Sequence, residues 1–316
     1  MKIRSLLFSV AALSMILSPV MGLSEDWAPE GSIKLQIGFG AGGSTETLGR
    51  IVAAKVEENT GWNVVVENKP GGGGVAMLSG LMNAKPDGST LGLAVNVPIL
   101  INLAKRGDQL PFKIDTFDYI GTITKGEVAL VAKADAPFND IDGVIALAKK
   151  KKLAIAFDAV TQQMIMSAVK NQAGVDFKFV KHKSGAEQIQ SILGGHVDAG
   201  CPAGAHIKYL ESGDLKMIAA FGKDRFSYAP DTKTLIQSGY NYYVDPYYYI
   251  AAPKGLPADV KATLAKVFDK AIHSEKVTIA LSNTLKAKPY NLGPDGTFKM
   301  LSDGVTDIKT VIDAGK

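Results

Sequence analysis

Ile33-Lys34-Leu35-Gln36-Ile37-Gly38-Phe39-Gly40-Ala41-Gly42-Gly43-Ser44-Thr45 runs directly into a segment with Leu48, Ile51, Val52 and Val56 at helical spacing. The first five residues read as a short buried strand and residues 47–56 as an amphipathic helix. A glycine-rich loop joins them. Strand, glycine loop and helix in that order form the opening unit of an α/β domain. The unit then recurs. Val64-Val65-Val66 is a β-branched strand, residues 75–82 a short helix, and residues 91–95 another strand. This alternation predicts a mainly parallel sheet covered by helices on both faces.

The middle of the chain repeats the pattern. Asn139 or Asp140 can cap a helix through Val144, Leu147 and Ala148, and residues 153–157 and 177–180 read as strands around a helix at 161–173. Ile189, Ile192 and Leu193 mark a helix ending at Gly194-Gly195, followed by strands at 197–200 and 217–221. Residues 258–272, 276–286 and 298–312 read as helices. Two α/β units without a flexible linker predict two lobes joined by strands that pass between them. The first lobe is expected from residues 23–122 and 250–316, and the second from 123–249. The crossings are expected at 120–127 and 244–250. A ligand then sits in the cleft, at the carboxyl ends of the strands.

Residues 1–22 carry the compartment signal. Lys2 and Arg4 give a positive start, residues 6–17 are apolar apart from Ser, and Val20 and Gly22 end the segment with small side chains. That order predicts a secretory signal peptide cleaved after Gly22, and its apolar part is shorter than the roughly 20 residues of a membrane span. Removing Lys2 and Arg4 lowers the formal net charge from +4 to +2, which argues against a nucleic-acid surface. The run Lys149 to Lys152 reads as a solvated helix end. Cys201 is the only cysteine, so no intramolecular disulfide forms, and its apolar setting predicts a buried thiol. His182, His196, His206 and His273 lack metal-ligand spacing, and no metal or cofactor is expected.

The glycine loop suits an anion, because the helix behind it directs free N–H groups and a positive dipole end toward the loop. Ser44 and Thr45 add hydroxyls, or Ser44 serves as a cap. Gly38, Gly40 and Gly43 also match G-x-G-x-x-G, with Glu67 near the position of a ribose-binding acid, so a dinucleotide oxidoreductase is one reading. Export weakens it. So does Asn68-Lys69-Pro70-Gly71-Gly72-Gly73-Gly74, a second glycine loop that can grip the same anion from the other side. There is no Gly-x-Ser-x-Gly elbow, which leaves an exported enzyme acting on an acid as a weaker alternative and a sensory role as a further one.

Phe39-Gly40-Ala41-Gly42-Gly43-Ser44-Thr45-Glu46 resembles a loop of the Bug, or tripartite tricarboxylate transporter, solute-binding proteins. So do Val65-Val66-Glu67-Asn68-Lys69-Pro70-Gly71, Pro86-Asp87-Gly88-Ser89-Thr90-Leu91, Leu193-Gly194-Gly195-His196-Val197-Asp198 and Ala251-Ala252-Pro253-Lys254-Gly255-Leu256-Pro257. Five motifs in register cover essentially the whole mature chain. The resemblance implies a two-lobed periplasmic binding fold of the type II-like, Venus-flytrap kind. It also implies a small organic carboxylate held largely by backbone amides, delivery to integral-membrane permease subunits, and no catalysis. A monomer is expected.

Carried over residue by residue, Phe39, Gly42, Gly43, Ser44 and Thr45 become first-lobe contacts, with Gly73 and Gly74 lining the neighbouring loop. The second lobe departs from the family's glycine–serine loop, reading Phe157-Asp158-Ala159-Val160-Thr161-Gln162-Gln163. Ala159, Val160, Thr161 and Gln162 are the candidates there, Thr161 and Gln162 as side-chain donors. Asp158 is expected to point away or to bond its own loop. Lys183 and Ser184 either approach the cleft or simply start a helix. Pro202 and Ala203 follow the next strand. Tyr240, Tyr242, Tyr243, Tyr247, Tyr248 and Tyr249 cluster near the second crossing, and Tyr247 is the one expected to stack on the ligand.

Overall fold

Two series of strand–helix units build two five-stranded sheets, one on each side of the connection at residues 126–128. The computed structural model describes residues 27–41, 43–202, 204–285 and 287–316. The expected signal peptide, Gly42 and Ala203 lie outside the described residues. The first series is β1 (Ile33–Ile37), α1 (Ser44–Thr60), β2 (Val64–Asn68), α2 (Val75–Leu81), β3 (Thr90–Val95), α3 (Asn96–Arg106) and β4 (Phe117–Lys125). The second is β5 (Ala129–Lys133), α4 (Ile141–Ala148), β6 (Leu153–Phe157), α5 (Val160–Ala173), β7 (Phe177–Lys181), α6 (Gly185–Leu193), β8 (Ala199–Gly200), α7 (Ile207–Glu211) and β9 (Leu215–Ala220). The chain then returns through β10 (Tyr247–Pro253) and ends in α8 (Ala258–Ile272), α9 (Glu275–Leu285) and α10 (Gly293–Ala314).

The sheet orders are β2-β1-β3-β10-β4 and β7-β6-β8-β5-β9. Each is mainly parallel, as the alternation predicts, with one strand reversed. In the first sheet the reversed strand is β10, antiparallel to β3 and β4; in the second it is β5, antiparallel to β8 and β9. Both are the strands by which the chain enters a sheet from the other one. They start at the edge where their parallel neighbours end, so they must run the opposite way. The crossings are short and touch: Gly126 N donates to Pro246 O at 2.7 Å.

One face of the first sheet packs Leu48, Val52 and Val56 of α1 against Leu264 and Phe268 of α8. The other face packs Met77 and Leu81 of α2 with Leu100 and Leu301. The terminal helix also reaches the second sheet. Val311 joins the core that contains Ile155, Ile165 and Phe221, and Asn171 Nδ2 donates to Ala314 O at 2.9 Å. Among the described residues no helix is long and apolar enough to cross a membrane.

Several bounds differ from expectation: β8 is only Ala199–Gly200, β9 is Leu215–Ala220, and α10 already starts at Gly293. Helix α1 begins at Ser44, three residues before its first clear apolar period. Helix α3 follows β3 with almost no break although it carries Pro98; that proline lies in the first turn, where no intrahelical N–H is lost.

Candidate functional site

The carboxyl ends of β1, β2 and β3 place the two glycine loops side by side. At the first loop, Gly43 is the N-cap of α1 in an extended conformation, and its carbonyl accepts the first helical bond from Thr47 N at 3.0 Å. Ser44 therefore does not cap the helix; it is the first helical residue. The amides of Ser44 and Thr45 have no acceptor within the helix. Their hydroxyls face that of Tyr248, a buried side chain on β10 whose phenol burial pushes up while those two hydroxyls work against the shift. Phe39 is half-buried against the α1–α8 core, and its carbonyl accepts from Asn68 Nδ2 at 3.0 Å.

The second loop consists of four consecutive glycines with positive φ: 148° at Gly71, 59° at Gly72, 68° at Gly73 and 102° at Gly74. Other residues rarely adopt such backbone. The loop is braced from α3: Asn102 Nδ2 donates to Gly72 O at 3.3 Å, and a Cβ on Gly73 would stand 2.5 Å from Pro98 Cβ. The two loops meet at Gly38, where an added Cβ would lie 2.8 Å from Gly74 Cα. Gly74 N bonds Gly71 O at 3.1 Å, so Gly74 provides close approach rather than a donor. Nothing here favours the dinucleotide reading. A Cβ on Gly40 would meet no atom within 4 Å, and Glu67 faces Lys69 at 3.5 Å.

Across the cleft, Asp158 to Thr161 lead from β6 into α5. Gln162 is buried, and its Oε1 accepts from Asp158 N at 2.9 Å and Ala159 N at 3.2 Å. The side chain expected to donate to the ligand instead turns its oxygen onto its own loop and occupies those two amides. Ala159 is exposed, Thr161 is half-buried, and Val160 is 54% exposed, an unusual apolar surface at a helix start. The Asp158 carboxylate lies near Cys201, whose buried thiol is pushed up, first by burial and then by that charge.

Lys183 and Ser184 form a helix start. Lys183 N donates to Glu187 Oε2 at 2.9 Å, and Ser184 Oγ accepts from Glu187 N at 3.3 Å. The helix is nonetheless drawn onto the neighbouring loop, since a Cβ on Gly185 would lie 3.3 Å from the backbone of Pro202. Gln188 clasps the strand end there: Cys201 N donates to its Oε1 at 2.9 Å, and its Nε2 donates to Cys201 O at 3.3 Å. Beneath Pro202, His206 sits between the Pro202 carbonyl (3.4 Å from Nδ1) and the Tyr228 hydroxyl (3.1 Å from Nε2). Burial pulls this imidazole down to about 4, so it is neutral near pH 7. The loop reaches toward the first sheet, where a Cβ on Gly204 would lie 3.5 Å from Leu285 O.

The floor of the cleft is made by the crossings. Asn96, buried at the start of α3, accepts from Tyr247 N at 2.8 Å and donates to Asp245 O at 3.0 Å. Lys125 pairs with Asp245 at 3.1 Å and with Asp224 at 3.5 Å, so its charge is already met. Tyr247 lies 5.9 Å from the Tyr290 ring, with Lys125 Nζ also 5.9 Å from its centroid.

The structure thus brings Phe39, Gly43, Ser44, Thr45, Gly73 and Gly74 together at one edge. It places Ala159 to Gln162, Lys183, Ser184 and Pro202 along the carboxyl edge of the second sheet. Asn68, Asn96, Gln188 and Tyr248 position these loops and were not singled out from sequence. Asn68 lies within a quoted motif, and Tyr248 lies in the tyrosine cluster. Which tyrosine reaches Ser44 depends on the register Tyr248↔Val95, which local pattern does not carry.

A model of the tripartite tricarboxylate transporter family receptors matches residues 48–315. A UPF0065 protein from the gbd 5′ region of Cupriavidus necator is 27% identical over 309 residues, covering 96% of this chain and 93% of its own. A TctC solute binding protein from Polaromonas, solved without ligand, has a TM-score of 0.81 at 22% identity, covering 90% of this chain and 99% of its own. MatC from Rhodopseudomonas palustris, solved with bound malate, has a TM-score of 0.67 at 21% identity, covering 92% of this chain and 100% of its own. Two mixed sheets with reversed entry strands and a match over most of the chain lead to one conclusion: the protein belongs to the tripartite tricarboxylate transporter receptors, a family of periplasmic solute-binding proteins.

Proposed function

We propose that the protein captures a small organic carboxylate between its two sheets and delivers it, chemically unchanged, to the membrane permease subunits of a tripartite transporter. One observation carries this reading: the backbone contact of Gly38 with Gly74, which sets two glycine loops against the open end of α1. Helix N-termini and glycine backbone favour an anion without a fixed cation. The malate held by the R. palustris relative supports the same chemistry. The first-sheet contacts are the amides around Gly42 to Thr45 and the loop at Gly73, with Phe39 and Gly74 shaping the approach. Ala159 to Thr161, Lys183, Ser184, Pro202, Ala203 and Tyr247 close the other side. Gln162 acts through its loop.

In this reading residues 1–22 direct export to the periplasm. Residues 23–122 with 250–316 move as one lobe against 123–249, and the protein works as a monomer. Calorimetry against mono-, di- and aromatic carboxylates tests the proposal, with native mass spectrometry of freshly purified protein to reveal a retained acid. A folded protein silent across the panel, or one that turns its ligand over, defeats it.

A further inference from the structure

A cavity of about 320 Å³ lies where α3, α10 and the second crossing meet, and no described residue of the glycine loops lines it. It adjoins the floor of the cleft through Asn96, Asp245 and Tyr247, and of the described cleft candidates only Tyr247 lines it. Its walls are apolar: Val97 and Leu100 from α3, Met300 and Ile308 from α10, and Val244 from the crossing. Helix α10 presents Gly296 and Gly304 to it, so part of the wall is bare backbone. Gly304 brings α10 close to α3, since an added Cβ would lie 2.7 Å from Leu100 Cδ1. The two helices therefore touch at that point and part beside it, leaving the space.

The charged groups at its rim are paired, including the buried Asp245 carboxylate, which meets Lys125 at 3.1 Å although its Oδ1 makes no hydrogen bond. Lys299 pairs with Asp303 at 2.8 Å, and Lys223 with Asp307 at 3.9 Å. The Tyr243 hydroxyl donates to Asp307, and Lys223 Nζ lies 4.4 Å from the centre of the Tyr243 ring. Both ends of the Asn96 amide are engaged with the crossing. A charged guest would find no unpaired counter-charge and would lose its hydration. A neutral ring would find aliphatic side chains, a thioether and the two tyrosines.

The volume is at the low end for ligand pockets, which span about 300–1,000 Å³. An apolar cavity of about 150 Å³ takes benzene. Roughly twice that admits a bicyclic ring.

We propose that this cavity is a second binding site, adjoining the floor of the anion cleft but lined by neither glycine loop, for a neutral molecule with a flat apolar body of one or two rings. Its occupant would bridge the terminal helix to the crossing between the sheets. The site shares Tyr247 with the cleft and otherwise has its own walls.

Indole is the probe, titrated by calorimetry into the whole protein and followed by amide hydrogen exchange. The expected result is saturable one-to-one binding with slowed exchange at 243–247 and 296–308. Met300→Trp fills the cavity from α10 and should weaken indole at least tenfold. Val97→Phe, filling from α3, provides a second variant if the first fails to fold. Absence of saturable binding overturns the proposal. So does binding that survives a folded cavity-filling variant, or protection that appears at 38–45 and 158–162 instead. A carboxylate titration on the same sample keeps failure of the cleft reading separate.

Discussion

Gly38→Ala tests the contact on which the anion site rests. The new Cβ would stand 2.8 Å from Gly74 Cα, so the loops must separate by about 0.6 Å to reach the 3.4 Å of ordinary contact. The obstacle is backbone on a loop of four constrained glycines braced by Asn102 and Pro98, so it cannot simply rotate away. Overpacking of this kind costs about 1–3 kcal/mol, and a domain of 150–250 residues loses roughly 2–4 °C of Tm for each kcal/mol. The effect on binding follows from the same shift. An amide–carboxylate bond near 2.9 Å, stretched by that amount, is lost, and hydrogen bonds to charged groups contribute about 1.5–3 kcal/mol each. The tightest acid of the panel should therefore bind about 10- to 100-fold more weakly.

Gly40→Ala is the matched control. It makes the same substitution two residues along the same loop, where the new Cβ meets nothing within 4 Å and φ is not in the left-handed region. It should stay within about 0.5 kcal/mol of wild type in stability and bind normally. Differential scanning calorimetry and isothermal titration on both variants decide the matter. If Gly38→Ala and Gly40→Ala melt alike and bind alike, the contact between loops does not organise the site and the reasoning fails.

Other perturbations separate structural from binding roles. Gln162→Ala removes the acceptor for two loop amides and should cost about 1 kcal/mol, as loss of a helix cap does. Gln162→Glu keeps the acceptor and should hold its melting temperature while weakening the anion, which thermal melts and titration check together. Asn96→Ala strips partners from the Tyr247 amide and the Asp245 carbonyl and should cost on the order of 2 kcal/mol by chemical denaturation. Tyr248→Phe removes the hydroxyl that faces Ser44 and Thr45, and a several-fold loss of affinity with up to about 1 kcal/mol of stability is expected from titration and thermal melts.

Asp118 gives a pH signature. Burial alone would raise its carboxyl, but the Gly255 and Leu256 amides at 2.8 and 3.0 Å, with Lys254 at 3.3 Å, outweigh it and hold it below 3.8. Because the folded value is the lower one, the stabilisation is present above 3.8 and disappears as pH falls through the folded value. Asp118→Asn should melt below wild type at pH 7, with the gap closing toward pH 3; a gap independent of pH would refute this.

Local pattern by itself determined the elements of this protein. The apolar run at Ile33–Ile37, the strand Leu153–Phe157 and the helix Ala258–Ile272 end where their sequence periods end, because each is written in consecutive residues. Asp140 caps α4 through Gly143 N at 2.8 Å, three residues away. The two glycine loops were legible for the same reason, as was the family through its five motifs. Helix α3 was not read from the sequence; its Pro98 lies in the first turn, where a proline costs no helical bond.

What tertiary structure alone decided lies between segments far apart in the chain. Sequence treats Gly38 and Gly40 alike; only packing against Gly74 shows which one cannot carry a side chain. Sequence offered Gln162 as a ligand donor, and folding turned it inward because the start of α5 left two amides in need of an acceptor. The reversal of β5 and β10, the meeting of Tyr248 with Ser44, and the cavity between α3 and α10 all arise from contacts across long sequence separations. Side-chain periodicity specifies which face of an element is buried, but the neighbour it meets is set by how the whole chain closes.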